Sequence, residues 1–219
     1  MINDNEVFSV WKSAGPTSFE VVSALKKSHK EKIKIGHCGA LDPFAEGVIV
    51  ICTGTKTKKI ESIMALKKEY IATISLGLET DSLDLTGEVI KASEVPNIDE
   101  NLINNVLQKF KGKIKQTAPY FSALKLNGVP LYKYARNDIF IRKKTRNIEI
   151  YDIRLLDYNS KKIQIYVKCG RGTYIRSLAK DIAINLNTLG YLTSLTRKAV
   201  GPFNKNNSIM IKNEYFKKN

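Results

Sequence analysis

Cysteine and histidine are nearly missing from this chain. Its 219 residues hold three cysteines (Cys38, Cys52 and Cys169) and two histidines. An odd, scattered set of thiols makes no disulfide framework and no CxxC metal pair. His37 beside Cys38 is an adjacent couple of candidate ligands. Without a second couple at ligand spacing it is no zinc site, and no metal is expected. Long apolar runs are lacking as well. None nears the roughly 20 residues needed to cross a bilayer. The opening residues, MINDNEVFSVWK, lack the basic-then-apolar layout of a secretory signal. A reducing, cytoplasmic location is the expectation. There is no internal repeat and no low-complexity linker. What remains is an ordinary 43% of hydrophobic residues, in a chain long enough for one large or two small domains with a real core.

Acidic residues are the other shortage. Thirty-six Lys and Arg stand against 21 Asp and Glu, a net charge of +15. Such an excess fits a polyanionic partner. It also fits a lysine bias from an AT-rich genome, which raises Asn and Ile too. The distribution says more than the sum. Positions 109–146 carry eleven basic residues and one acidic residue, Asp138. Phe110, Tyr120, Phe121, Tyr132, Tyr134 and Phe140 are interleaved among them. Cations for phosphates and rings for bases make a nucleic-acid-binding texture. A solvated basic face over core aromatics gives much the same string.

The pattern of apolar residues predicts the elements. Thr17 and Glu20 form a capping box that opens a helix, with Phe19, Val22 and Leu25 on one face. Positions 48–52 and 70–76 read as strands, the second alternating strictly through Tyr70, Ala72, Ile74 and Leu76. Asn97, three residues before Glu100, opens a second helix carrying Leu102, Val106 and Phe110, with Gly112 as its stop. Positions 148–156 and 163–169 are further strands. A third helix follows Gly172-Thr173, with Ile175, Leu178, Ile182 and Leu186 on one stripe. Strands and helices do not alternate regularly, so the expected class is α+β, with a mixed, largely antiparallel sheet and flanking helices.

Two motifs carry chemistry. In positions 36–54, GHCGALDPFAEGVIVICTG, a single carboxylate, Asp42, sits in a glycine-punctuated loop ahead of a buried strand. Pro43 restricts Asp42 to extended backbone, and the glycines permit tight turns. A carboxylate so fixed can act as nucleophile or general base. It can equally cap backbone amides in a plain turn. The second motif is GRGTYIR at positions 170–176. An arginine in a first helical turn can hold a carboxylate in bidentate fashion, or be an ordinary surface arginine. The positive dipole end disfavours a cation there, which points to a specific partner.

With these residues in view, the chain resembles the TruB family of tRNA pseudouridine synthases. The matching blocks are 12–18 (KSAGPTS), 36–54, 68–81 (KEYIATISLGLETD), 120–136 (YFSALKLNGVPLYKYAR), 170–181 (GRGTYIRSLAKD) and 195–203 (LTRKAVGPF). They follow the family's order and cover nearly the whole chain. The resemblance implies isomerisation of uridine 55 in the tRNA T-arm, with base flipping and no cofactor. It implies a pseudouridine-synthase-like sheet with a thumb insertion. Asp42 matches the essential aspartate, Tyr70 the tyrosine that stacks on the base and takes the C5 proton, and Arg176 the arginine paired with the aspartate. Tyr174 and Leu195 match residues lining the uracil pocket. His37 matches a histidine that fills the space left by flipped bases. Lys12 and Lys58 match basic positions of the site and its RNA approach. The thumb, about 118–146, clamps the T-loop, and its matching residues are Tyr120, Lys125, Arg136, Arg142, Lys143, Lys144 and Arg146.

Some positions depart from the family pattern: Ser13 stands where proline is common, and Cys38 and Ala40 where threonines are. They touch loop rigidity more than chemistry. Residues 1–203 form the expected catalytic domain and 204–219 a short basic tail. The sixteen residues after Phe203 are too few for the PUA domain that many members carry. That also argues against the guide-RNA-dependent relatives, and the expected enzyme is a monomer acting on tRNA, with no guide RNA, obligate protein partner or membrane. A tRNA-binding folding factor with incidental catalysis is the competing reading. It needs none of Asp42, Tyr70 and Arg176.

Overall fold

The computed structural model describes residues 3–29, 33–122, 124–126, 128–135, 137, 139 and 145–210. In chain order these form β1 (Val7–Lys12), α1 (Ser18–Lys27), β2 (Ile35–His37), β3 (Glu46–Thr53), a 3-10 turn (Gly54–Lys59), α2 (Ile60–Met64) and β4 (Lys68–Leu76). Next come β5 (Leu78–Thr80), β6 (Val89–Ala92), α3 (Glu100–Gln108), β7 (Gly112–Thr117), β8 (Lys125–Leu126), β9 (Val129–Pro130) and α4 (Leu131–Ala135). The remainder is β10 (Thr145–Asn159), β11 (Lys162–Cys169), α5 (Ile175–Asn185), β12 (Gly190–Val200), β13 (Phe203–Asn204), a second 3-10 turn (Lys205–Asn207) and β14 (Ser208–Met210). The class is α+β, and most strand pairs are antiparallel. Among the described residues no helix is long and apolar enough to cross a membrane.

The chain divides into two compact units, residues 1–71 with 195–219, and residues 72–194. The boundaries fall inside β4 and β12, so each of these strands contributes to both units. In the first unit the strand order is β14-β1-β3-β12, with β2 also on β3 and β13 on β12. β1 runs antiparallel to β3 and parallel to β14. β3 and β12 are parallel, with Thr196 opposite Glu46 and Arg197 opposite Gly47. β3 is covered on both faces, which is why Val48 to Cys52 reads as an unbroken apolar run. One face carries a cluster of Trp11, Cys38, Val48, Val50, Cys52, Ile63 and Val200.

In the second unit the order is β4-β11-β10-β7. β4 and β11 bury every second residue, as strands with one covered face do. The long β10 absorbs two register shifts, between Ile150 and Asp152 and between Leu155 and Asp157. α3 packs on β10 and α5, and α5 on β7. Ile175, Leu178, Ile182 and Leu186 are all buried, as their spacing predicts.

Two helices differ in detail from expectation. The capping box of α1 is present: Glu20 N–H donates to Thr17 Oγ1 at 3.1 Å, and Thr17 N–H to Glu20 Oε2 at 2.7 Å. Its buried stripe is Ser18, Val21, Val22 and Leu25, while Phe19 is 74% exposed. The stripe therefore starts one residue earlier, on a serine with its own tertiary partner. α3 is capped by Asp99, not Asn97, with Leu102 N–H donating to Asp99 Oδ1 at 2.7 Å. Ile98 and Ile103, the two positions of a hydrophobic staple, are both buried. This turns the helix so that Ile103, Val106 and Leu107 face inward and Leu102 faces out. Gly112 opens β7 at φ +96°, after α3 has already ended at Gln108.

Candidate active site

In the first unit the segment between β2 and β3 holds Asp42 by its neighbours. Arg197 donates from Nη2 to Gly39 O at 3.1 Å, from Nη1 to Ala40 O at 3.0 Å and from Nε to Val48 O at 2.7 Å. Ser18 Oγ accepts from Leu41 N–H at 2.8 Å and lies 3.1 Å from Leu41 O. Pro43 O accepts from Gly15 N–H at 2.8 Å and from Lys12 Nζ at 3.1 Å. Asp42 O closes a turn with Ala45 N–H at 3.1 Å. The backbone around Asp42 is thus fixed by groups from β1, α1 and β12, and the residue itself is half-buried. Gly47 lets β12 approach: at φ +126°, a Cβ there would lie 2.3 Å from Arg197 O.

Beneath this loop are two buried cations. Lys12 is 0% exposed and Arg197 2%. Lys12 spends its ammonium on Ser13 O and Pro43 O. It therefore ties the Asp42 loop to the end of β1. Burial pushes Lys12 down to about 8; the Asp42 carboxylate opposes that shift and the Arg197 charge adds to it. His37, at the end of β2, is half-buried, and its Nδ1 is a buried atom without a hydrogen-bond partner. Burial and then Arg197 hold its pKa below the usual range, favouring the neutral ring. Tyr70 on β4 and Leu195 on β12 are buried. Lys58 is exposed on the first 3-10 turn. Among the described residues no group of three His, Cys, Asp or Glu side chains is arranged to hold a metal.

In the second unit Arg176 lies in the first turn of α5, buried. Its Nη1 donates to Ser82 O and its Nη2 to Phe121 O, both at 2.8 Å. It is also ion-paired, Nη1 to Asp84 Oδ2, at 3.3 Å. Asp84 is itself buried, and its Oδ1 accepts from Ser82 Oγ at 2.8 Å, Thr86 N–H at 3.0 Å and Thr86 Oγ1 at 2.6 Å. A buried ion pair is tolerable when its remaining lone pairs are used in this way. Tyr174 is the N-cap of α5 and half-buried. Of the thumb residues, Tyr120 is half-buried and Arg146 exposed on β10. The backbone of Lys125 lies in β8. Arg136, Arg142, Lys143 and Lys144 lie outside the described residues.

Sequence reasoning missed Ser18, Asp84 and Arg197. Ser18 left one trace, a polar residue at the inward position of a helical stripe. Arg197 left its place inside LTRKAVGPF. Asp84 follows the matched block 68–81 and carried no separate signal.

This α+β architecture is shared with chains of solved complexes. Over 94% of its length the chain superposes on 52% of a chain from a crystal structure of a Cbf5-Nop10-Gar1 complex, with a TM-score of 0.72 and 28% identity. Over 93% it matches 50% of a chain from a structure of an H/ACA RNP bound to a substrate RNA containing 2'-deoxyuridine, with a TM-score of 0.68 and 26% identity. The chain thus spans about half the length of those two proteins. Residues 26–175 match the family model of the TruB family pseudouridylate synthase, N-terminal domain. A protein named tRNA pseudouridine synthase B from Francisella philomiragia is 47% identical over 203 residues, 92% of this chain and 67% of that one. Its namesake from Francisella tularensis subsp. tularensis is 45% identical over the same shares. The chain belongs to the TruB family of pseudouridylate synthases.

Proposed function

We propose that this chain isomerises uridine 55 in the T-arm of tRNA to pseudouridine, using Asp42 as the essential carboxylate and no cofactor. The observation that carries this reading is the anchored loop. The backbone on both sides of Asp42 is held by Arg197, Ser18, Lys12 and Gly15. Such rigidity suits a group that must meet one atom of a sugar. The relatives named tRNA pseudouridine synthase B support tRNA as the substrate.

The reaction breaks the N1–C1′ bond, turns the uracil, forms C5–C1′ and moves one proton from C5 to N1. Nothing is oxidised or consumed, so the chemistry requires no cofactor. Asp42 either attacks C1′ or abstracts a sugar proton, and both roles use the ionised carboxylate. Arg176 orients that carboxylate, and Tyr70 stacks on the base and receives the C5 proton. Extruding the uridine costs a few kcal/mol. Stacking on Tyr70 and the filling of the vacated space by His37 offset part of it. Tyr174 and Leu195 line the uracil pocket. Residues 1–203 are the catalytic domain, and the thumb, 118–146, clamps the T-loop through its basic side chains. The enzyme works as a monomer, without guide RNA or protein partner. Incubation with an unmodified tRNA transcript, followed by chemical labelling of pseudouridine and primer extension, tests this. A single new stop at position 55 is expected. An unmodified transcript, or a stop elsewhere, overturns the assignment.

A further inference from the structure

β7 has one polar side chain where a core residue belongs. Its pattern exposes Lys113, Lys115 and Thr117 and buries Gln116, which is 3% exposed. A carboxamide in that position is costly unless both of its ends are hydrogen-bonded. Both are. Gln116 Oε1 accepts from Tyr174 N–H at 2.8 Å, and Gln116 Nε2 donates to Tyr174 O at 3.1 Å. The orientation of the carboxamide is forced, because a backbone N–H only donates and a backbone C=O only accepts.

Tyr174 is the N-cap of α5, and its own side chain makes no capping hydrogen bond. Its backbone sets where the helix begins and hence where Arg176, two residues on, projects. One further bond joins the same strand end to the same turn: Ser177 Oγ donates to Thr117 O at 2.8 Å. A leucine at 116 would pack as well and would leave the helix start with the Ser177 bond alone joining it to β7.

We propose that Gln116 is a positioning residue for the isomerisation, acting as a two-point clamp on the backbone of Tyr174 that fixes Tyr174 and Arg176 for the reaction. This rests on the function proposed above. A misplacement of about 1 Å can cost on the order of a hundredfold in rate. Gln116 is buried, so affinity for tRNA is expected to change little.

Gln116→Leu and Gln116→Glu test the clamp. Each is assayed as full-length protein by single-turnover kinetics on tRNA, by tRNA binding, by thermal melting and by hydrogen exchange at Tyr174. Gln116→Leu is expected to lower the rate at least tenfold, leave Kd within about threefold, and speed exchange of the Tyr174 amide. Gln116→Glu supplies the decisive reading. The ionised carboxylate accepts from Tyr174 N–H but repels Tyr174 O. The protonated acid is an isostere of the carboxamide and restores both bonds. A buried carboxyl titrates above its usual range. The rate of Gln116→Glu relative to wild type should therefore rise as pH falls from about 8 to about 5.5.

A relative rate flat across that range overturns the clamp. So does a wild-type rate in Gln116→Leu, or a loss confined to affinity. If either variant fails to fold, the other decides. If wild type does not modify tRNA, the function reading falls. Exchange at Tyr174 then still decides whether Gln116 holds that backbone.

Discussion

The catalytic part proposed for Asp42 is tested most simply by Asp42→Asn, which keeps the shape and removes the base. Turnover should vanish while tRNA affinity stays within several-fold, measured by single-turnover kinetics beside filter binding; substantial residual turnover would remove Asp42 from the chemistry. Arg197 is the residue on which the loop depends. Arg197→Lys keeps the charge but not the planar fork. It should leave at least two of the carbonyls of Gly39, Ala40 and Val48 without their donor, a loss of about 2–4 kcal/mol in urea unfolding. Lys12 gives a pH signature. Its pKa falls from 10.5 to about 8 on folding, so between those values the unfolded chain binds more protons and stability rises with pH. Below pH 8 the full cost of a buried ammonium is present. Compared with Lys12→Met, wild type should gain stability between pH 8 and 10.5. A constant difference across that window would show that Lys12 titrates normally. Asp42, Tyr70 and Arg176 could be proposed from the sequence because their blocks carry them. Ser18 and Arg197 could not. Their partners are the backbone atoms of Leu41, Gly39, Ala40 and Val48, and a carbonyl has no letter of its own. Lys12 also has main-chain acceptors, the carbonyls of Ser13 and Pro43.

The strands and helices were largely foreseeable where local rules decided them. The Thr17–Glu20 box, the alternation in β4 and β11 and the inward stripe of α5 are set by period and capping alone. The rest needed tertiary information. Asp99 displaced Asn97 as the cap of α3, with buried Ile98 and Ile103 in the staple positions. Phe19 lost its inward place to Ser18, which bonds to Leu41. The proposed thumb, 118–146, has most at stake in the basic run. Neutralising Arg142, Lys143, Lys144 and Arg146 together should weaken tRNA binding and flatten its salt dependence. Every phosphate that these side chains no longer neutralise takes somewhat less than one unit off the slope of log K against log salt. Titrations at several salt concentrations measure that slope, and an unchanged value would make the run a solvated face.

At the scale of the molecule, the excess of 15 positive charges raises encounter rates with any polyanion, while the proposed chemistry rests on two small, anchored segments. One of them has a history in time. The first unit is discontinuous: residues 1–71 are completed by 195–219, while 72–194 are contiguous. On a ribosome the guanidinium that fastens the Asp42 loop at Ala40 is made 157 residues after that carbonyl. β1 likewise waits for β14, since Ser9 pairs with Ser208. Such distant pairings close late. A nascent chain must therefore carry the Asp42 loop unfastened until Arg197 has been made.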